Sequence, residues 1–173
     1  NVEHFLKLHY EGKTRINNLQ LDEMETFETT NAKPLSISLV VSNDEHSKRK
    51  ILGFEIAKFR PKTTRLRNLS QTKYGNRPDE RRERLERLLL KVDPYVNPKA
   101  HFISDESPFY PSLVRRHYPH GTHTRVKSRR ASVAGQGELK EKGYDPLFSL
   151  NHTCAMIRAN VNRLIRKTWC TTK

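Results

Sequence analysis

Cysteine is almost missing from this chain: Cys154 and Cys170 are the two among 173 residues. That is too few for a disulfide scaffold, so a reducing cytoplasm is the expected setting. Seven glycines and nine prolines are too few for a collagen-like or low-complexity chain. No apolar run approaches the ~18 residues of a membrane span, and the opening residues do not read as a charged-then-apolar leader. Acidic residues are also scarce, with 19 Asp and Glu against 33 Lys and Arg. Finally, the sequence starts at Asn1 rather than Met, which suggests a fragment of something longer.

What is present is positive charge. The formal net charge is +14, and hydrophobic residues make up 34% of the chain, low for a globular protein but enough to build one core. Such an excess needs a polyanionic partner or a reason to tolerate self-repulsion. The basic residues recur along the chain, in 58–67, 77–87, 115–130 and 158–167. A distributed surplus points to a folded surface that faces phosphates, with nucleic acid ahead of a membrane surface. The plain alternative is a solvated basic surface. A membrane role ranks last, because no basic helix has a bulky aromatic-rich face.

Hydrophobic periodicity predicts three early strands, at 18–28, 35–42 and 50–59, with a hairpin-length polar link at 43–49. Together they read as an antiparallel meander. Residues 60–78 read as a polar connection broken by Pro61, Gly75 and Pro78. A helix is expected over 79–92, with Leu85, Leu88, Leu89 and Val92 as its apolar stripe. Then come a short strand at 100–105, a short helix at 109–117, a further alternating strand at 122–127, a glycine-bearing loop at 128–146 and a helix over roughly 150–168. Residues 4–10 suggest a short helix or the stub of a preceding element. The fold class is therefore α/β, a mixed sheet with a three-strand antiparallel meander flanked by helices. This element order is also that of the ribonuclease-H-like fold.

Two aspartates stand where a sheet-based site would need them. Asp22 lies inside the first strand, and Asp105 ends the strand AHFISD. A carboxylate inside an alternating strand is costly unless it is paired or holds a cation. If the two strands are neighbours, the carboxylates converge as hard oxygen donors suited to Mg²⁺, the arrangement that serves in-line phosphoryl displacement. Alternatively, Asp22 faces solvent beside Glu23 and Glu25, and Asp105 caps the helix that follows Pro108.

The strings LQLDEMETF, FISDESPFYP and LFSLNHTCAMIRANVNRLIRKTWCTTK resemble bacterial insertion-sequence transposases of the DDE class, whose catalytic core is retroviral-integrase-like. The resemblance spans 18–173. It implies a catalytic core over 18–173, with 1–17 as a linker to an upstream DNA-binding module. The implied activity is metal-dependent cleavage of a mobile element's ends and strand transfer into target DNA. Mg²⁺, or Mn²⁺ in its place, would be the cofactor. Double-stranded DNA would be the partner, with a homo-oligomer assembled on it, in the bacterial cytoplasm at the nucleoid. The family's catalytic and metal-binding triad falls on Asp22, Asp105 and Asn151. The third position departs from the usual Glu; an amide carbonyl can ligate Mg²⁺ but supplies neither charge nor base. A catalytically inactive DNA-binding remnant and a nuclease of the same fold are the rival readings.

On a helix, Asn151, Ala155, Arg158 and Asn162 fall within about 40° of one line, beside an apolar face of Cys154, Ile157, Val161, Leu164 and Thr168. Arg158 matches a position where the family commonly carries a DNA-contacting basic residue. With it, Arg115, Arg116, Arg125, Lys127, Arg129, Arg130 and Asn162 are the expected DNA-binding residues, and Tyr118 is available for stacking on bases. Arg81, Arg82, Arg84 and Arg87 either grip phosphates or form a wet helix face. Glu138 and Glu141 are alternative third carboxylates, Glu106 reads as a surface acid and Asp145 as a turn residue. His117, His120 and His123 recur at three-residue spacing, but Pro119 and Gly121 break the helix that would align them, and no Cys accompanies them. Neither cysteine reads as a nucleophile, and no phosphate-binding glycine loop or hydrolase motif occurs.

Overall fold

The computed structural model describes residues 15–44, 50–127 and 145–164. Five strands form one sheet: β1 (Ile16–Phe27), β2 (Pro34–Ser42), β3 (Ile51–Lys58), β4 (Val96–Ser104) and β5 (Thr122–Arg125). Their order is β3-β2-β1-β4-β5. β1 to β3 pair antiparallel, while β4 runs parallel to both β1 and β5. Among the described residues there are four α-helices: α1 (Thr64–Tyr74), α2 (Arg81–Val92), α3 (Tyr110–His117) and α4 (Phe148–Asn160). This order and these strand directions are those of the ribonuclease-H-like fold. None of the helices in the described residues is long and apolar enough to cross a membrane.

The alternation of β1 sorts its side chains onto two layers. Leu19 and Leu21 join Val40, Phe102 and the apolar faces of α2 and α3 in the larger core cluster. Met24 faces the other way and packs with Ile37, Leu39, Val41, with Leu147 at the entry to α4, and with Leu150 and Cys154 of α4. α2 approaches β3 closely because residue 53 is glycine: a Cβ there would stand 2.9 Å from Leu88 Cδ1. The buried Glu55 of β3 pairs with Lys91 and with Arg84 of the same helix.

α4 is tied to the sheet by a buried amide. Gln20 Oε1 accepts from the Leu150 N–H at 2.8 Å, and Gln20 Nε2 donates to the Pro146 carbonyl at 2.6 Å. Ser149 Oγ adds a 2.6 Å bond to Asn43 Oδ1 at the end of β2.

Several expectations are corrected. Residues 60–78 contain α1, not only connection; it buries Ser70 alone of its side chains, so it shows little apolar stripe. β4 begins at Val96 and passes through Pro98, tolerated because its register with β1 slips between Ile16 and Asn18. β1 itself begins at Ile16. α4 stops at Asn160 and a 3-10 turn, Asn162–Leu164, follows. Asn160 Nδ2 donates to the Met156 carbonyl, a local bond that competes with helix continuation. Val161, expected on the apolar face, is 43% exposed. Tyr118 is buried rather than open for stacking, its ring 4.6 Å from Phe102 between centroids. The element expected at 4–10, the hairpin link at 45–49, the loop at 128–144 and the chain from 165 onward lie outside the described residues.

Replacing Gln20 with Leu removes the partners of one buried N–H and one carbonyl, so a loss of about 2–3 kcal/mol in folding stability is expected. Urea denaturation checks this; a change below about 0.5 kcal/mol would mean that the amide does not anchor α4.

Candidate functional site

The strand order reverses between β1 and β4, because the chain builds β2 and β3 on one side of β1 and β4 and β5 on the other. In open α/β sheets, such a switch point at the carboxyl ends of parallel strands opens a crevice for ligands. The last paired positions of β1 and β4 are Leu21 and Ser104. The next residue on each strand is an aspartate: Asp22 and Asp105. Asp22 follows Gln20 on the α4 face, and Asp105 follows Ile103, which packs on that same face.

The charge of Asp105 acts on Asp22. Burial pushes the Asp22 carboxyl up to about 7, opposed by a bond from the Glu23 N–H and reinforced by the charges of Asp105 and Glu23. Arg158 of α4 acts the other way, so its guanidinium lies within electrostatic reach of Asp22. Cys154, one turn before Arg158, has its thiol pushed to about 11 by burial and then by Asp22, and stays protonated. Asp105 Oδ1 also accepts from the Ser107 N–H at 3.0 Å, which fixes the turn into α3.

Two groups on the opposite layer belong to this centre and escaped the sequence reading. Glu23 is raised by burial; Ser36 Oγ, 2.8 Å from its Oε2, and Arg81 hold it down, while Asp105 and Glu25 raise it further. Its Oε1 is buried without a hydrogen-bond partner. Tyr110, at the start of α3, is 1% exposed and its hydroxyl also lacks a partner. Burial first, then Glu23, Asp22 and Asp105, keep that phenol protonated. The signal for Glu23 was its place beside Asp22 in a strand; Tyr110 carried none, because aromatic residues at a helix start are common core anchors.

Asn151 lies on the Arg158 stripe, two turns earlier. Its Nδ2 donates to Asp145 Oδ2 at 3.1 Å, and its Oδ1 has no hydrogen-bond partner among the described residues. Asp145 is the expected turn residue, accepting the Leu147 N–H at 3.1 Å. Among the described residues, no three His, Cys, Asp or Glu side chains are grouped to hold a metal ion. The Asp22–Asp105 pair is still the right donor chemistry for a hard dication, since two carboxylates repel each other in its absence.

The other expected residues are spread around the site. Arg115 and Arg116 are exposed on α3, Arg116 pairing with Glu86 at 3.0 Å, and Arg125 and Lys127 are exposed at the end of β5. Asn162 is exposed in the final 3-10 turn. Arg129, Arg130, Glu138 and Glu141 lie outside the described residues. Arg81 is not a free phosphate grip: it makes two bonds to Asp79 and covers the rings of Phe59 and Phe109. Arg84 faces Glu55 and Glu80, while Arg82 and Arg87 are exposed. The three spaced histidines diverge, His117 to Glu86, His123 to Ser104 Oγ at 2.9 Å, and His120 to the exposed surface. Glu106 is exposed.

No protein-family model, curated protein or solved structure matches the chain.

Because the folded Asp22 carboxyl titrates near 7 rather than near 3.8, the folded state binds the extra proton between those values and stability falls as pH rises through them. In chelator-containing buffer, Asp22→Asn is expected to be more stable than the parent at pH 8 by roughly 2–4 kcal/mol. The gap should close toward pH 4. Denaturation curves at both pH values check this, and a pH-independent gap would place Asp22 in a solvated setting.

Proposed function

We propose that this chain is the catalytic core of a DDE-class DNA transposase, cutting the ends of a mobile element and joining them to target DNA. The observation that carries the reading is the convergence of Asp22 and Asp105 at the switch point of a ribonuclease-H-like sheet, with the Arg158 charge acting on Asp22. The resemblance of three separate strings to that class supports it, as does a charge of +14 suited to a polyanion.

In this reading Asp22 and Asp105 hold Mg²⁺ or Mn²⁺, with the free Oδ1 of Asn151 as a third donor. When bound, the metal supplies Lewis-acid stabilisation and a more acidic attacking water or 3′-hydroxyl. The chain's own task is positioning. Asp22 must be ionised, which Arg158 favours and burial opposes. Arg158, Arg115, Arg116, Arg125 and Lys127 hold backbone phosphates, and Arg129 and Arg130 extend the same basic run. Phosphoryl transfer depends on positioning and charge stabilisation, so no Ser, Cys or Tyr nucleophile is required. Paired element ends call for a homo-oligomer on double-stranded DNA, in the bacterial cytoplasm at the nucleoid.

One observation favours a second reading, an inactive DNA-binding remnant: the Asn151 amide is engaged by Asp145, and no three His, Cys, Asp or Glu side chains of the described residues are grouped so as to hold a metal ion. A nuclease of the same fold would cut without joining.

The test is Mg²⁺-dependent cleavage and joining on DNA carrying the element's own ends. Asp105→Asn is expected to lower the cleavage rate by roughly a thousandfold, and Asn151→Ala by about 10–100-fold. Cut ends that are never joined would identify a nuclease. Binding without cleavage by the parent would establish the remnant. Full activity in Asn151→Ala, with loss in Asp105→Asn, would move the third ligand to Glu138 or Glu141.

A further inference from the structure

A second polar site lies at the same end of the sheet, away from the aspartates. Between β3, α1 and the turn that follows is a recess of about 380 Å³, lined by Arg60, Arg67, Ser70, Gln71, Asn76 and Arg77. Among the described residues no acidic side chain lines it. Its shape depends on Gly75, which ends α1 at φ 77° and ψ −169°, an extended positive-φ conformation open essentially to glycine alone that redirects the chain. The redirected segment is then pinned from two directions. Arg60 Nε donates to the Arg77 carbonyl at 3.3 Å, and Arg77 Nη2 donates to the Pro34 carbonyl at 3.1 Å.

The walls hold unmet hydrogen-bonding capacity. Ser70 is 3% exposed and its Oγ has no partner; Arg77 is 8% exposed and its Nε has none. Buried polar atoms without partners are uncommon in folded proteins. Arg77 is neutralised in part by Glu28, 2.9 Å from its Nη2. Arg60 is acted on by Asp79, which Arg81 already engages through two bonds. Arg67 has no ion-pair partner among the described residues. Two guanidinium groups with charge to spare, a third fixed in the wall and a buried hydroxyl donor share one recess. That is the donor set of a tetrahedral oxyanion, with arginine forks suited to phosphate.

We propose that this recess is a phosphate-group site, distinct from the Asp22–Asp105 centre. The phosphate belongs either to a nucleic-acid backbone or to a free anion. The site itself stands on the recess alone; only its assignment to a DNA strand rests on the proposed function.

Inorganic phosphate, titrated against chloride at matched ionic strength, is the first probe, read by the thermal unfolding midpoint and by calorimetry. Parent protein should be stabilised by phosphate. Arg67→Ala should weaken phosphate binding by roughly tenfold. Ser70→Ala, which fills the same space and should fold normally, should weaken it by a few-fold. Arg87→Ala, exposed on α2, is the control for general charge and should leave phosphate binding unchanged. The second probe is a labelled DNA duplex. If Arg67→Ala also weakens duplex binding and lowers its salt slope by about one, the phosphate is that of a strand. If duplex binding is unaffected while phosphate binding falls, the site takes a free anion. No phosphate effect beyond chloride, or an equal loss in Arg87→Ala, would overturn the proposal. Asp105→Asn in the same assays separates the two ideas: it should spare phosphate binding whether or not it abolishes cleavage.

Discussion

The candidate centre depends on one buried amide. Gln20 sits on β1, one alternation before Asp22, and grips both the Leu150 N–H and the Pro146 carbonyl. A helix end leaves such backbone groups open, and a buried one needs a partner. By supplying it from the strand that carries Asp22, the fold sets the height of α4 relative to the aspartates. Leu150 then lies opposite Gln20, Cys154 comes within reach of Asp22, and Arg158 follows one turn later. An apolar residue at position 20 would still pack, but it would leave the helix free to slide along the sheet. Hydrophobic contact is nondirectional, whereas the amide specifies a register.

The charge distribution shows a corresponding constraint. A chain with 33 basic and 19 acidic residues places Asp22 and Glu23 of β1 near Asp105, which raises the charging cost of both, while Glu23 raises that of Asp22. The nearby cations offset only part of this. Arg158 acts on Asp22 from one layer and Arg81 acts on Glu23 from the other, while Arg81 is mainly committed to Asp79. A centre in this state gains from anything that adds positive charge between the two aspartates. Under the proposed function, the same basic surroundings would draw a polyanion toward carboxylates that otherwise repel it.

Much of this was legible in the sequence, for reasons that can be located. Alternation in LQLDEMETF and the β-branched run LSISLVVS exposed the meander, and the same alternation separated Asp22 from Leu19 and Leu21. The leucine stripe of α2 was equally direct. α1 was hidden because its packing needs almost no apolar face. Yet Gly75, immediately after Tyr74, is the kind of glycine that ends a helix. Pro98 is a residue that strand interiors seldom hold, and a register slip lets β4 pass through it. Tyr118 stands among His and Arg residues and reads as surface, but the end of α3 turns it onto Phe102. The bond from Asn151 to Asp145 joins a helix to its own preceding turn, a pairing that residue type alone does not disclose.

Strand direction brings the remaining chemistry to one side. β3 is antiparallel to β2, and β2 to β1, so β1, β3, β4 and β5 all end toward the same edge of the sheet. Lys58 ends β3 opposite Leu35, which pairs with Thr26, four residues past Asp22 on β1. Two strand spacings across and four residues along put the arginine-lined recess on the order of 15–20 Å from the aspartates. β4 stops at Ser104 while β1 continues to Phe27, so among the described residues the far half of β1 has no strand neighbour on that side. The sheet therefore carries a carboxylate pair at its switch point and a cationic recess beyond its meander, both at the same end. Neither feature follows from the core packing, which would be satisfied by apolar or neutral residues at Asp22 and Arg67 alike. An extended polyanion is the class of ligand that can meet both at once, because a small molecule cannot span that separation.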